Sequence, residues 1–151
     1  MADRDQMPNR EACPCGSGGA FGDCCGPIIG GQVPCETARA LMCSRYTAYV
    51  TGASDYLRAS WHPGTRHRHR YREVGEPVKW LGLKILSVHA GGPDDREGQV
   101  EFVARFKVGG RARRLHEISR FRRHDGRWHY VDGEPGPTDS GFAHGAGDAD
   151  R

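Results

Sequence analysis

The chain has 151 residues, 36% of them hydrophobic, a mean hydropathy of −0.70 and a formal net charge of +3. That length fits one domain with a hydrophobic core plus a small appendage, and no apolar run approaches the ~20 residues that a membrane-spanning helix needs. The opening MADRDQMPNREACPCG lacks the apolar stretch of a secretory signal, so the expected location is the cytoplasm and the cysteines are expected to be reduced. A pI near 8.6 does not by itself announce a nucleic-acid binder.

In chain order, residues 1–12 read as a flexible arm, 13–26 as a Cys/Gly-rich knuckle, and 27–34, with Gly30 and Gly31, as a linker. Residues 35–133 carry the periodic patterns of the main domain. Residues 134–151, rich in Pro, Gly and Asp, read as a disordered tail.

The chemistry begins in the knuckle, CPCGSGGAFGDCC. Cys13 and Cys15, one residue apart, point the same way from an extended backbone, which Pro14 favours. Adjacent Cys24 and Cys25 converge only where the chain turns, and Gly16 and Gly18 let the segment bend. Four thiols so spaced can close around one zinc ion per chain as a structural site, with no coordination position left for water. Two disulfides or a cluster of free thiols are the alternatives, disfavoured without a secretion signal. Cys43 falls beside an apolar helix stripe and reads as a buried inert thiol; Cys35 has no partner at ligand spacing.

Beyond the linker, Ala38, Leu41, Met42, Arg45, Tyr49 and Val50 recur at three- and four-residue spacing, one stripe of a helix that Gly52 ends. Ser54 caps a second, short helix, SDYLRASW, which stops before His62-Pro63 because proline disfavours helix in the residue before it. TRHRHRYREVGEP is polar and basic and is expected to be a loop, with a helical turn as the alternative. Its run Arg66, His67, Arg68, His69, Arg70 and Arg72 is either a solvated surface or a docking place for an acidic partner. Only Tyr71 interleaves aromatically, so a nucleic-acid or ribosome partner is the weaker expectation, behind a protein or small-molecule partner.

From Val78 the period becomes two, and strands are expected over about 78–89, 98–108, 111–123 and 127–133, in an antiparallel meander. Gly109-Gly110 and Asp125-Gly126 supply tight two-residue turns, which set the register: Phe102 opposite Glu117, Ala104 opposite Leu115, Ser119 opposite Asp132 and Phe121 opposite Tyr130. One face then carries Val100, Phe102, Ala104, Phe106, Leu115, Phe121, Trp128 and Tyr130, with Glu117, Ser119 and Asp132 set among them. The other face carries Arg105, Lys107, Arg114, His116, Arg120, Arg122 and His129. Two carboxylates on an aromatic face must pair, protonate or line a polar pocket, because a lone buried carboxylate is costly. Arg45, Arg39 or a tyrosine hydroxyl could satisfy them in a buried network.

CPCGSG followed by CC resembles the SEC-C knuckle at the C-terminus of the SecA translocation motor. The order of knuckle, LMCSRYTAYV, SDYLRASWHP, KWLGLKIL, VEFVARF, HEISRF and GRWHYVDG resembles the bacterial YchJ-like family, of uncharacterised function. Many SEC-C knuckles place lysines with an aromatic residue before the second cysteine pair, whereas here Gly19 to Asp23 keeps Phe21 and has no cation, which weakens any phosphate contact through the knuckle. The resemblance implies an α+β, cone-shaped fold like nuclear transport factor two, a curved antiparallel sheet with N-terminal helices. In such a cone, Arg45, Tyr49, Trp61, Phe102 and Phe121 are candidates to line a pocket. So are Glu117, Ser119, Trp128, Tyr130 and Asp132. The expectation is a zinc-binding cytoplasmic binding or adaptor module. The runner-up is a small-molecule hydrolase or isomerase with Glu117, Asp132 and His62 as candidate acid–base residues.

Overall fold

The structure, a computed structural model, describes residues 7–66 and 78–136. A 3-10 turn, Phe21–Asp23, and helix α1, Cys25–Ile29, shape the knuckle; α2 (Ala38–Thr51), α3 (Ser54–Ala59) and α4 (Pro63–Arg66) follow. Four strands then form a meander: β1 Val78–Ala90, β2 Glu97–Val108, β3 Arg111–His124 and β4 Arg127–Pro135, paired antiparallel in the order β1-β2-β3-β4. Among the described residues no helix is long and apolar enough to cross a membrane.

Helix α2 begins where Thr37, in extended conformation, accepts the Ala40 amide on its side chain, and it ends where Gly52 turns left-handed at φ 80°. Its buried stripe, Ala38, Leu41, Met42 and Tyr46, lies against Val100, Phe102, Ala104, Phe121 and Trp128 of the sheet. Full burial of a side chain such as Leu41 or Phe121 stabilises the fold by roughly 1.5–3 kcal/mol each. The start of α2 comes unusually close to the sheet, with the Ala38 amide donating to the Gly91 carbonyl at 2.9 Å. Gly91 and Gly98 permit this approach: a Cβ on Gly91 would lie 2.7 Å from the Ala38 methyl, and one on Gly98 would run into Gly91.

The hairpin turns set the register as expected from β2 to β3, with Phe102 opposite Glu117 and Ala104 opposite Leu115. They also set the start of β4, where Phe121 lies opposite Tyr130. One residue further the expectation fails. Val131 bulges out of the ladder, so Asp132 pairs with Arg120 and Ser119 pairs with Gly133. Two further bulges, at Leu81 and Leu86 in β1, leave both leucines exposed while Trp80, Leu83 and Ile85 keep to the core face.

The cause of the β4 bulge lies far off in sequence. The free edge of β4 is covered by the corner between α3 and α4: the Tyr130 amide donates to the Ser60 carbonyl, the His62 amide to the Tyr130 carbonyl, both at 2.8 Å, and Thr65 Oγ1 to the Val131 carbonyl at 2.8 Å. These bonds hold Val131 out of step and leave no bare edge there.

Two boundaries differ from the expectation. Residues 7–12 are not a loose arm: Ala12 bridges to Ala20, and the Phe21 amide donates to the Glu11 carbonyl at 2.8 Å. Strand β4 continues through Glu134 and Pro135, which the sequence assigned to the tail; 137–151 lie outside the described residues. The basic run from His67 to Arg72 also lies outside them, and Arg66 closes α4.

Candidate metal centre and sheet face

Cys13 and Cys15 flank Pro14 in a loop that bends back on itself, with the Cys13 amide donating to the Gly19 carbonyl at 2.9 Å and the Gly16 amide to the Cys13 carbonyl at 3.1 Å. Gly16 and Gly18 take φ of 82° and 94°, the left-handed region closed to most side chains. Cys24 stands between the 3-10 turn and α1, at φ −129° and ψ −102°, and Cys25 opens α1. That break, rather than a continuous helical turn, brings adjacent cysteines together.

The four sulfurs lie within 4.8 Å of one another. Cys15 Sγ is 3.7 Å from Cys24 Sγ, and Cys24 Sγ is 4.0 Å from Cys25 Sγ. Sulfurs ~2.3 Å from one tetrahedral zinc would sit about 3.8 Å apart, so the donor set fits such an ion. All six cysteines are free in this structure. Hydrogen bonds from Cys25 and Cys43 hold the Cys15 thiol far below its ordinary range, while that same sharing pushes Cys25 and Cys43 up. Burial raises Cys24. Four thiolates together therefore need a positive charge in their midst.

The site is not confined to its loop. Cys13 Sγ lies 3.7 Å from Thr47 Oγ1 on α2, Ser17 Oγ lies 3.2 Å from Cys24 Sγ, and Phe21, Leu83 and Cys43 pack around the cluster. Cys43, read from the sequence as a buried inert thiol, is thus half-buried and a neighbour of Cys15. Cys43 and Thr47 are one helical turn apart on α2, a spacing that could have marked a face turned towards the knuckle. Cys35 instead packs against the main core, where burial pushes its thiol up to about 12.

The inner sheet face is organised differently. Arg45, only 4% exposed, donates from Nη1 to the Leu57 carbonyl at 2.9 Å and to Ser60 Oγ at 2.6 Å. Its guanidinium lies over the rings of Trp61 and Tyr130, at 5.3 and 4.8 Å from their centroids. It therefore ties the end of α3 to β4. Glu117 accepts from Ser119 Oγ at 2.8 Å and from the Tyr130 hydroxyl at 3.3 Å. The carboxylate occupies the space that a side chain on Gly133 would fill. Phe102, Ser119, Phe121 and Trp128 are all buried around this network, while Tyr49 is exposed, its ring tilted against that of Trp80.

Asp132 does not belong to that set. The Val131 bulge turns it to the outer face, where Arg120 Nε donates to Oδ1 at 2.7 Å and Nη2 to Oδ2 at 2.6 Å. The expected carboxylate pair is therefore split between two faces. His62 lies at the α3–α4 corner beside His124 and His129, away from Glu117's bonds to Ser119 and Tyr130. On the outer face His116 bonds Glu101 at 2.7 Å, which lowers the Glu101 carboxyl.

Comparison with known proteins agrees with this two-part layout. The family description "YchJ, middle NTF2-like domain" matches residues 37–133, and "SEC-C motif" matches residues 10–27. A UPF0225 protein of Chromobacterium violaceum is 55% identical over 127 residues, covering 82% of this chain and 93% of the relative. One from Geobacter sulfurreducens is 44% identical over 126 residues, covering 80% and 77%. The solution structure of a SEC-C motif containing protein from Rhodopseudomonas palustris is similar at a TM-score of 0.72 and 35% identity, covering 82% of this chain and 98% of that one. A crystal structure of a SEC-C motif containing protein from Psychrobacter arcticus, 23% identical, shares the fold at a TM-score of 0.65, covering 86% and 83%. With its SEC-C cysteine cluster joined to an NTF2-like domain, the chain belongs to the YchJ-like, UPF0225 family.

Proposed function

We propose that the protein is a cytoplasmic binding or adaptor module whose N-terminal knuckle is held by one structural zinc ion. The observation that carries this reading is the mutual closeness of the four cysteine sulfurs, three of the four residues being buried, against the side of α2. Four sulfur ligands complete a tetrahedral shell, so the ion would have no position for a substrate or an activated water. Cys13, Cys15, Cys24 and Cys25 would hold it, and its role would be to fix the knuckle on the α2–β1 side of the domain.

The small-molecule enzyme reading loses support from the same geometry. It called for an accessible Glu117 or Asp132 beside an open cavity, and Asp132 is committed to Arg120 on the opposite face. Glu117, half-buried, is engaged by two hydroxyl groups. The outer face offers a partner surface of mixed charge, with exposed Arg105 and Lys107 on β2 and, elsewhere on the same face, the Glu101 and Asp132 carboxylates. That mixture favours a protein partner over a phosphate backbone, whose binding would fall steeply with salt.

Cobalt substitution tests the closed site. Tetrathiolate Co²⁺ in place of zinc should give a tetrahedral absorption spectrum unchanged by azide, phosphate or cyanide at non-stripping concentrations. A spectrum that shifts with such ligands would reveal an open coordination position and contradict the structural role.

A further inference from the structure

We propose that the outer sheet face, at the end where β1 begins and β2 closes, docks an acidic protein segment that carries interspersed apolar side chains. This names a partner class for the adaptor reading above and rests on that reading. The surface follows from the register. Lys79 pairs with Lys107, Gly82 with Arg105 and Lys84 with Val103. They alternate with the inner-face residues Trp80, Leu83 and Ile85 on β1 and Ala104 and Phe106 on β2, so Lys79, Lys84, Arg105 and Lys107 share the outer face. All four are exposed.

Their charge is not neutralised locally: among the described residues none of the four is in an ion pair. Glu101, the next carboxylate along β2, is already held by Ser87 at 3.1 Å and His116 at 2.7 Å. Lys79 directly opposite Lys107 works against the sheet, because like charges facing across a strand pair repel. Protection of a sheet edge accounts for lysines and bulges on β1, the edge strand. It does not account for Arg105 and Lys107, which lie on an inner strand, nor for leucines exposed at the bulges.

The leucines narrow the choice of polyanion. Leu81 stands beside Gly82, across from Arg105, and Leu86 beside Ser87, both exposed. A segment of acidic and apolar residues matches the cations and covers the leucines together. A single nucleic-acid strand would call for aromatic side chains to stack its bases, and the strand aromatics Trp80, Phe102, Phe106, Phe121, Trp128 and Tyr130 belong to the inner face. A second copy of the same face would set like charge against like charge. The knuckle adjoins this surface, because Leu83, between Leu81 and Lys84, packs against the cysteine cluster.

The test uses the zinc-saturated full chain and three fluorescein-labelled probes of equal charge: a peptide of repeating Glu-Glu-Leu, one of repeating Glu-Glu-Ser, and single-stranded oligouridine. Anisotropy at physiological salt should show the leucine peptide binding at least about fivefold more tightly than either of the others. K107E and R105E should each weaken it at least about tenfold. K107E should also raise the melting temperature by about 1–3 °C, because it sets opposite charges across the strand pair. L81S should weaken the leucine peptide at least about threefold and leave the serine peptide unchanged. R122E, at the far end of the same face, should leave binding within about twofold. Equal binding of the two peptides, tighter binding of the RNA, a loss in R122E as large as in K107E, or a self-association that K107E abolishes would each overturn the proposal. The cobalt spectrum is read on the same protein: failed peptide binding with the sulfur site closed sinks the docking surface alone, whereas an open site contradicts the adaptor reading itself.

Discussion

The cysteine knuckle and the inner sheet face are both nearly closed to solvent, yet they are held by different forces. The knuckle is a short loop with a small apolar set, Phe21 and its neighbours, and four sulfurs whose charges need a cation between them. So small a segment cannot bury enough surface to fix itself. The sheet face has the stripe of α2 on one side and three long strands on the other, with its polar groups satisfied internally: Arg45 by Leu57 and Ser60, Glu117 by Ser119 and Tyr130. One region should thus depend on an ion and the other on packing, and substitutions can separate the two.

The largest effect is expected from Cys25→Ser. It should remove the metal entirely and release the knuckle, while near-ultraviolet dichroism from the core tryptophans Trp80 and Trp128 persists at low temperature. Because Thr47 and Leu83 pack against the cluster, the melting temperature should still fall. Complete loss of the core signal would show that the two regions are one cooperative unit.

A smaller effect is expected inside the sheet. Glu117→Gln keeps the shape but weakens two hydrogen bonds to a charged acceptor, and a urea melt should show a loss of about 1–3 kcal/mol. Removing that charge should also let the Tyr130 hydroxyl, now held above its ordinary range by burial and by Glu117, ionise at lower pH. Unchanged or improved stability would contradict the structural role and return Glu117 to the candidates for ligand contact.

The smallest effect belongs to the outer face. Asp132→Asn breaks a bidentate pair with Arg120, whose side chain is 58% exposed, and solvent screening should keep the loss under about 1 kcal/mol. A loss as large as that of Glu117→Gln would place Asp132 inside the sheet after all.

These differences follow what was legible in the chain. The cysteine spacing is local, and so is the turn chemistry of Gly109-Gly110 and Asp125-Gly126; each fixed its part of the structure within a few residues. The Val131 bulge was not legible, because it is imposed by Ser60, His62 and Thr65 lining the edge of β4 from across the fold. A single inserted residue reverses every side chain beyond it, which is how Asp132 came to be expected beside Ser119 and is found beside Arg120. The bulges at Leu81 and Leu86 acted likewise in β1. The involvement of Thr47 and Cys43 with the knuckle was hidden for a related reason: helix periodicity shows which residues share a face, not what the face meets.

Native mass spectrometry of the protein purified under reducing conditions, without added metal, tests the central claim most directly. The account predicts one zinc ion per chain, with the mass showing the protons displaced by thiolate ligation, and release of the ion on acidification as Cys13, Cys15, Cys24 and Cys25 regain their protons. A metal-free chain at neutral pH with all four thiols intact and the knuckle still folded would contradict it.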